Sequence, residues 1–339
     1  MTRLLADKKI PNSPLFIVSS GRSGTTLLRS ILNRTKQIYI PFESDFIARG
    51  YPYFGHVKNF DDQTLTQTTD LFIRSALGDG WELDREDLLE VLKQNHPTSF
   101  AQVNHIIYSF YLYHNEIEEK TWAIKTPVLI ENIDRILKTF PNARIVHLVR
   151  DGRDVCISFR NVHKIRSGAE KFGPNSILAN ALYWIDGLRR IKTYKKKHNR
   201  IFELRYEDVV TAPEQTITQL LDFLHIPFDL SLLSVDNDND KFFLKKHNTS
   251  IHQNIGKPLL RTNIYKYKKQ MSKRDRLFYE LIANPFLKKY GYNIEFKFSS
   301  WMIWDVIRTP MYYTAQIFNN YKNRNKDKRI FKEAMNRHH

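Results

Sequence analysis

Leu15-Phe16-Ile17-Val18 is a continuous apolar run that ends in Ser19-Ser20-Gly21. A run this short, closed by turn formers, predicts a β-strand buried on both faces. Helical spacing follows at once. Leu27, Leu28, Ile31 and Leu32 recur three and four apart, with Thr25 or Thr26 suited to the first turn. The same order repeats along the chain. Strands are predicted at 37–41, 122–124, 144–149 and 200–206, and helices at 128–140, from about 152, and from about 213 through Leu224. Alternation of this kind predicts an α/β fold: a central parallel sheet with helices on both faces.

Between the second and third strands, residues 60–118 carry helical spacing and no strong strand pattern, and 100–114 are rich in aromatics. They predict a helical insertion that caps the active face. Beyond residue 226 the periodicity weakens, and the acidic and amide-rich stretch 234–240 reads as a polar loop. A last helix is predicted over about 273–290, with Gly291 as its C-cap glycine. The pattern has no internal repeat. It divides the chain into a domain at 14–294 and an aromatic, basic extension at 295–339.

Composition narrows the class. With 42% hydrophobic and 13% aromatic residues among 339, the chain can bury a sizeable core, which excludes intrinsic disorder. Lys and Arg outnumber Asp and Glu by 53 to 36, a net +17, and residues 319–339 carry seven of those cations against two acids. Such a surplus attracts anions without choosing among nucleic acid, membrane surface and phosphorylated small molecules. The lone Cys156 excludes an intramolecular disulfide and a cysteine-based zinc finger, which favours a reducing compartment. The first fourteen residues lack the apolar run of a signal peptide, and no segment reaches the roughly twenty apolar residues that span a bilayer. A cytoplasmic protein is predicted. The extension, with Trp301, Met302, Ile303, Trp304, Val306 and Ile307 ahead of its basic tail, leaves two placements open: a helix docked on the domain, or peripheral contact with the inner membrane face.

Candidate chemistry begins at the turn after the first strand. In α/β sheets ligands lie at the carboxyl ends of strands, and Ser19-Ser20-Gly21-Arg22-Ser23-Gly24-Thr25-Thr26 occupies that position ahead of a helix, where backbone N–H groups can converge on an anion. A nucleoside triphosphate loop would carry lysine where Thr25 stands. Arg22 instead places a guanidinium within the loop. The stretch FIVSSGRSGTTLLRSIL resembles the 5′-phosphosulfate loop of the sulfotransferases that use 3′-phosphoadenosine 5′-phosphosulfate, PAPS. The resemblance implies Arg22, Ser23, Gly24, Thr25 and Thr26 as donor contacts, and a P-loop-like three-layer fold.

A second anion site is readable downstream. In RIVHLVRDGRDVCISF, Arg150 ends an apolar strand and Ser158 lies eight residues on, about two turns along the next helix, so hydroxyl and guanidinium can share a ligand. The pair resembles the 3′-phosphate motif of the same family. By the same resemblance, Tyr206 in FELRYEDVV and Lys257 in NIGKP match nucleotide-contacting residues of tyrosylprotein-type enzymes.

Sulfuryl transfer needs an acceptor oxygen in line with the breaking bond, cations where charge develops, and a base for the acceptor proton. Lys125 in TWAIKTP resembles the lysine of the family's K-x-P element, which stabilises the leaving group. Glu43, in IYIPFES, stands where tyrosylprotein and carbohydrate sulfotransferases carry a general base; Arg22 joins these two as the third catalytic candidate. Histidine is the base in the phenol and steroid enzymes, so His56 and His105 remain rivals, and Ser250 matches a late serine loosely. The resemblance implies PAPS as donor, no metal, a hydroxyl-bearing acceptor and no nucleic-acid partner. Two other readings stand beside it. A P-loop nucleotide or small-molecule kinase would share the strand, loop and helix but needs a lysine at position 25. A non-catalytic protein docking on anionic surfaces would use the charge and leave both anion sites unexplained.

Overall fold

The structure, a computed structural model, describes residues 13–76, 81–117, 120–165, 173–233 and 263–296. Five strands are paired in parallel: β1 (Leu15–Val18), β2 (Ile38–Tyr39), β3 (Thr121–Lys125), β4 (Arg144–Val149) and β5 (Ile201–Arg205). Their order, β2-β3-β1-β4-β5, puts the first apolar run at the centre of the sheet. Chain connections from β1 run outward in both directions, so the ends of β1, β3 and β4 face a common crevice.

Strand β2 is shorter than its apolar run. Side chains of the helix after β1, α1 (Thr25–Asn33), intercept its backbone: Asn33 Oδ1 accepts from Ile40 N at 2.7 Å, and Arg29 Nε donates to Ile40 O at 2.8 Å. Those groups are therefore unavailable to a neighbouring strand.

Alternation along the strands sorts the core into two layers. Phe16 and Val18 of β1, with Trp122 and Ile124 of β3, face α2 (Phe46–Phe54), α3 (Asp62–Ser75), α4 (Arg85–Asn95), α5 (Phe100–His114) and α6 (Ile133–Thr139). Leu15 and Ile17, with Val146 and Leu148, face α1 and two helices that follow β5, α9 (Tyr206–Thr211) and α10 (Pro213–Leu224). A third cluster centres on Trp184. It joins α7 (Gly152–Ile165), α8 (Ile177–Lys195), α11 (Tyr267–Gln270) and α12 (Lys273–Lys289).

Caps fix the helix starts where the sequence supplies short polar side chains. Asp61 accepts from Thr64 N, Asp84 from Glu86 N and Asp87 N, Ser99 from Gln102 N, Ser176 from Ala179 N, and Ser272 from Asp275 N. Gly291, at φ 72°, closes α12: its N–H donates to Lys288 O at 3.0 Å and that of Tyr292 to Leu287 O at 2.9 Å. The segment expected as one helix at 128–140 is divided into a 3-10 turn (Pro127–Asn132) and α6. The helical stretch between the second and third strands starts before residue 60, at Phe46, and packs its apolar sides on the Phe16 and Trp122 face of the sheet. No helix among the described residues is long and apolar enough to cross a membrane. The polar loop expected at 234–240, Ser250, Lys257 and the extension beyond Phe296 lie outside the described residues.

Candidate active site

The loop after β1 is held in an unusual backbone shape. Arg22 has φ 68° and Gly24 has φ 95°, both left-handed, and a Cβ at Gly24 would fall inside contact distance of the Tyr206 ring. Glycine is required there on both counts. Ser23 Oγ donates to Ser20 O at 2.6 Å, and Gly21 N donates to the hydroxyl of Tyr183 at 3.0 Å, which anchors the loop to α8. Thr25 and Thr26 begin α1.

The two anion clusters expected from the sequence form one unit. Arg22 Nε donates to Ser158 Oγ at 3.1 Å, and Arg150 Nη1 donates to Arg22 O at 3.0 Å. Arg150 Nη2 donates to Asn263 O at 2.6 Å, and its guanidinium lies 4.6 Å over the Tyr206 ring. Arg150 is also 8% exposed, and its Nε is buried with no hydrogen-bond partner among the described residues, as is Ser19 Oγ in the loop. Buried polar groups able to donate and left without a partner fit an anionic ligand that accepts from them. Tyr206 is packed between Gly24 and Arg150, so its ring shapes the cluster from below.

Lys125 and Glu43 meet beside the loop. Lys125 is 3% exposed, and its ammonium is ion-paired and hydrogen-bonded to Glu43 Oε1. Burial holds the Lys125 pKa below the usual lysine range; Glu43 opposes this, and the cations of Arg29 and Arg22 add to the lowering. Glu43 keeps 30% of its side chain exposed, so a carboxylate faces the open side of the site while its partner is enclosed.

Backbone locks fix this pair. Thr126 Oγ1 donates to Ser44 O at 3.0 Å and accepts from Ser44 N at 3.2 Å, joining the residues next to Lys125 and Glu43. Trp81 Nε1 donates to Glu43 O at 3.1 Å, and buried Arg29 lies 5.4 Å from the Phe42 ring centroid while donating to Ile40 O.

A buried carboxylate and guanidinium layer supports the Arg150 side. Asp154 accepts from Tyr265 N at 2.7 Å and Tyr267 N at 2.8 Å, fixing the segment whose Asn263 carbonyl receives Arg150. Burial raises the Asp154 pKa to about 6 against the lowering by Arg150. Arg153 is fully buried: it donates to Asp151 Oδ2 at 2.7 Å, Glu280 Oε1 at 2.5 Å and Asn293 O at 2.9 Å. Glu207 accepts from Asp151 N at 3.0 Å and from the Tyr292 hydroxyl at 3.0 Å.

Of the sequence-named residues, Arg22, Ser23, Gly24, Thr25, Thr26, Arg150, Ser158 and Tyr206 gather around the loop, with Glu43 and Lys125 at its side. Lys257 lies outside the described residues. Of the rival bases, His105 is 6% exposed and accepts from Trp122 Nε1 at 3.1 Å, a core role, and His56 packs against the Tyr51 ring. Four contributors went unread in the sequence: Tyr183, Arg29, Thr126 and Asp154. Arg29 had a signal, a cation within the apolar spacing of α1.

A sequence profile of the Sulfotransferase family matches residues 14–230, and the chain belongs to that family. An uncharacterised protein of Aquifex aeolicus (strain VF5) is 24% identical over 229 residues, 64% of this chain and 26% of that protein. The chain thus spans about a quarter of the length of that relative. The sulfotransferase domain of the Synechococcus PCC 7002 olefin synthase is similar in structure, with TM-score 0.57 and 22% identity over 85% of this chain and 98% of that one. The sulfotransferase domain from the curacin biosynthetic pathway gives TM-score 0.52 and 20% identity over 83% and 98%. These two likenesses establish the fold.

Proposed function

We propose that the protein is a PAPS-dependent sulfotransferase, moving a sulfuryl group to a hydroxyl of a carbohydrate, lipid, small molecule or protein tyrosine. The observation that carries this reading is the joining of the two anion clusters through Arg22, with Ser158 on one side and Arg150 on the other. A donor with phosphate groups at both its 5′ and 3′ positions needs two such clusters within one ligand's reach. An ordinary adenine nucleotide needs one.

Bound PAPS supplies the sulfuryl group and leaves as adenosine 3′,5′-bisphosphate. The loop amides, with Arg22, Ser23, Thr25 and Thr26, hold the 5′ side, and Arg150 with Ser158 holds the 3′-phosphate. Tyr206 limits the nucleotide's approach, and Lys257 is assigned to the same donor by resemblance. Lys125 carries its proton in an enclosed place, with a lowered pKa that eases donation toward the leaving oxygen. Glu43 takes the proton of the acceptor hydroxyl, a role its exposed carboxylate suits. The reaction calls for no metal. Domain limits of 14–294 and a cytoplasmic location, with peripheral contact at the inner membrane face, belong to the same proposal. Family membership favours neither the kinase nor the non-catalytic reading.

Calorimetry without magnesium tests the reading. Adenosine 3′,5′-bisphosphate is expected to bind more tightly than adenosine 5′-monophosphate, and labelled PAPS to transfer its label to members of a hydroxyl acceptor panel. Equal affinity for the two nucleotides removes the 3′-phosphate assignment, and tighter binding of ATP with magnesium revives the kinase.

A further inference from the structure

The helix α12 buries one side, and on the other no described residue covers Leu277 and Phe278 fully. Tyr279, Ile282, Ala283 and Leu287 are buried against α7 and α8. On the opposite side, Arg274, Leu277, Leu281, Pro285 and Lys288 recur three and four apart, which aligns them in one stripe with Phe278 and Lys289 at its margin. Leu277 and Phe278 are each 41% exposed. Of the five large hydrophobic side chains exposed among the described residues, three, Tyr265, Leu277 and Phe278, fall in the segment 263–296.

The charge of that segment is as uneven as its apolar exposure. It holds eight cations, Lys266, Lys268, Lys269, Lys273, Arg274, Arg276, Lys288 and Lys289, and three acids. Each acid is already paired: Asp275 with Arg160 at 3.0 Å, Glu280 with Arg153 at 2.5 Å, and Glu295 with Arg276 at 3.2 Å. Lys268, Lys269, Lys273 and Arg274 are exposed at the amino end of α12, and Lys288 and Lys289 at its carboxyl end. Arg276 donates to Lys268 O at 2.6 Å, which holds α11 beside α12.

We propose that this outer face of α12, with the cations of α11 and of both helix ends, docks on the surface of an anionic phospholipid bilayer. An apolar centre between two groups of cations matches the headgroup and acyl boundary, where Leu and Phe enter the apolar edge while Lys and Arg meet phosphates. A nucleic acid would engage the cations alone and gain nothing from Leu277 and Phe278. The chain also continues from Phe296, next to Glu280 at mid-helix, into a sequence rich in Trp and Lys. The inference does not depend on the chemistry of the nucleotide site.

Full-length protein sedimented with vesicles tests it, using phosphatidylcholine alone and phosphatidylcholine mixed with phosphatidylglycerol at low salt. Binding is expected on the anionic vesicles only. Leu277→Ser with Phe278→Ser is expected to lower the partition coefficient at least tenfold, and Lys288→Gln with Lys289→Gln about fivefold per charge. Both variants should keep the wild-type nucleotide affinity, because the changed side chains lie away from the nucleotide site. Both should stay folded at the assay temperature with a melting temperature lowered only modestly, since Leu277 and Phe278 are partly covered. The proposal is overturned if the wild type ignores anionic vesicles. It is equally overturned if the Leu277 and Phe278 variant binds undiminished, which assigns contact to residues 297–339 or to charge alone. Duplex DNA that competes fully with the vesicles, with the same affinity for wild type and that variant, also overturns it.

Discussion

Arg22 reaches from the loop after β1 to Ser158 on α7, its Nε 3.1 Å from the serine Oγ. The contact ties the residue assigned to one phosphate to the residue assigned to the other, so the two sites respond together. Ser158→Ala is therefore expected to weaken adenosine 3′,5′-bisphosphate and, through a less constrained Arg22, adenosine 5′-monophosphate as well. Arg150→Ala is expected to act mainly on the first, with a smaller effect on the second because Arg150 Nη1 also holds Arg22 O. One charge-assisted phosphate contact contributes about 1.5–3 kcal/mol, so Arg150→Ala should lower bisphosphate affinity roughly 10–150-fold and leave the monophosphate within a few-fold. Titration calorimetry on both variants checks this, and equal losses for the two ligands in Arg150→Ala would place the 3′-phosphate elsewhere.

Glu43 and Lys125 should separate turnover from binding. Lys125→Ala and Glu43→Gln are each expected to lower kcat by about 10²–10⁴, the range for a positioned acid or base, with bisphosphate affinity unchanged. Glu43→Gln also leaves the Lys125 ammonium enclosed without its counterion, which lowers the lysine pKa further and moves the alkaline limb of the rate profile downward. Rate measurements across pH test both claims. Full turnover in Glu43→Gln transfers the base role to a histidine, with His56 ahead of the core-bound His105.

Gly24→Ala should damage the loop twice over. Alanine at φ 95° is strained, and its Cβ meets the Tyr206 ring, which Arg150 covers on its other side. A fall in stability of about 1–3 kcal/mol is expected, with loss of nucleotide binding out of proportion to it. Thermal melting with and without bisphosphate measures the two effects. Wild-type ligand stabilisation in the variant would show that the left-handed turn is dispensable.

Asp154 should leave a signature in the pH dependence of stability. Its folded pKa, raised to about 6 by burial, exceeds its ordinary value, so the fold holds the proton more tightly than the unfolded chain does. The resulting stability is complete below about pH 4 and is lost as pH rises through about 6. Asp154→Asn removes this slope. Relative to wild type, the variant should gain up to about 3 kcal/mol between pH 4 and pH 7, beyond any constant loss from its weaker hold on Tyr265 N and Tyr267 N. Glu207, raised to about 6 in the same way, titrates in both proteins and cancels. Denaturant melts at several pH values check the sign; a difference that stays flat refutes the burial of the charge.

Most of the architecture was legible because buried parallel strands are near-continuous apolar runs, and β1 and β4 coincide with theirs. The candidate residues drew notice in the sequence because they stand at the ends of apolar runs, Arg22 and Arg150 near a glycine turn and Glu43 and Lys125 directly after the run. What was missed depends on distant partners. The length of β2 is limited by Arg29 and Asn33, which take the hydrogen bonds of Ile40. Helix α8 carries Leu178, Leu182, Tyr183 and Trp184 on several sides and Gly187 in its interior, so it has no clean stripe, and it is covered by both α7 and α12. With α8 unread, Tyr183 and its bond to the loop after β1 were out of reach. The pairing of Lys125 with Glu43 likewise needs the Thr126 and Ser44 lock, which joins residues far apart in the chain.

Arg153, enclosed between Asp151, Glu280 and the Asn293 carbonyl, bonds residues 140 apart in the sequence. Asp151 directly follows Arg150 and Glu280 sits in the last described helix, so this guanidinium has its second carboxylate only once that helix exists. During synthesis from the amino end, the sheet core around β1, β3 and β4 can close early, whereas the Arg153 guanidinium beneath the Arg150 turn has only Asp151 as partner, without Glu280 and the Asn293 carbonyl that enclose it, until residues near 293 leave the ribosome. A nascent chain paused before α12 should be compact and protease-resistant over β1 to β4 yet unable to retain adenosine 3′,5′-bisphosphate, so competence for the nucleotide waits on the synthesis of a helix more than a hundred residues downstream of Arg150.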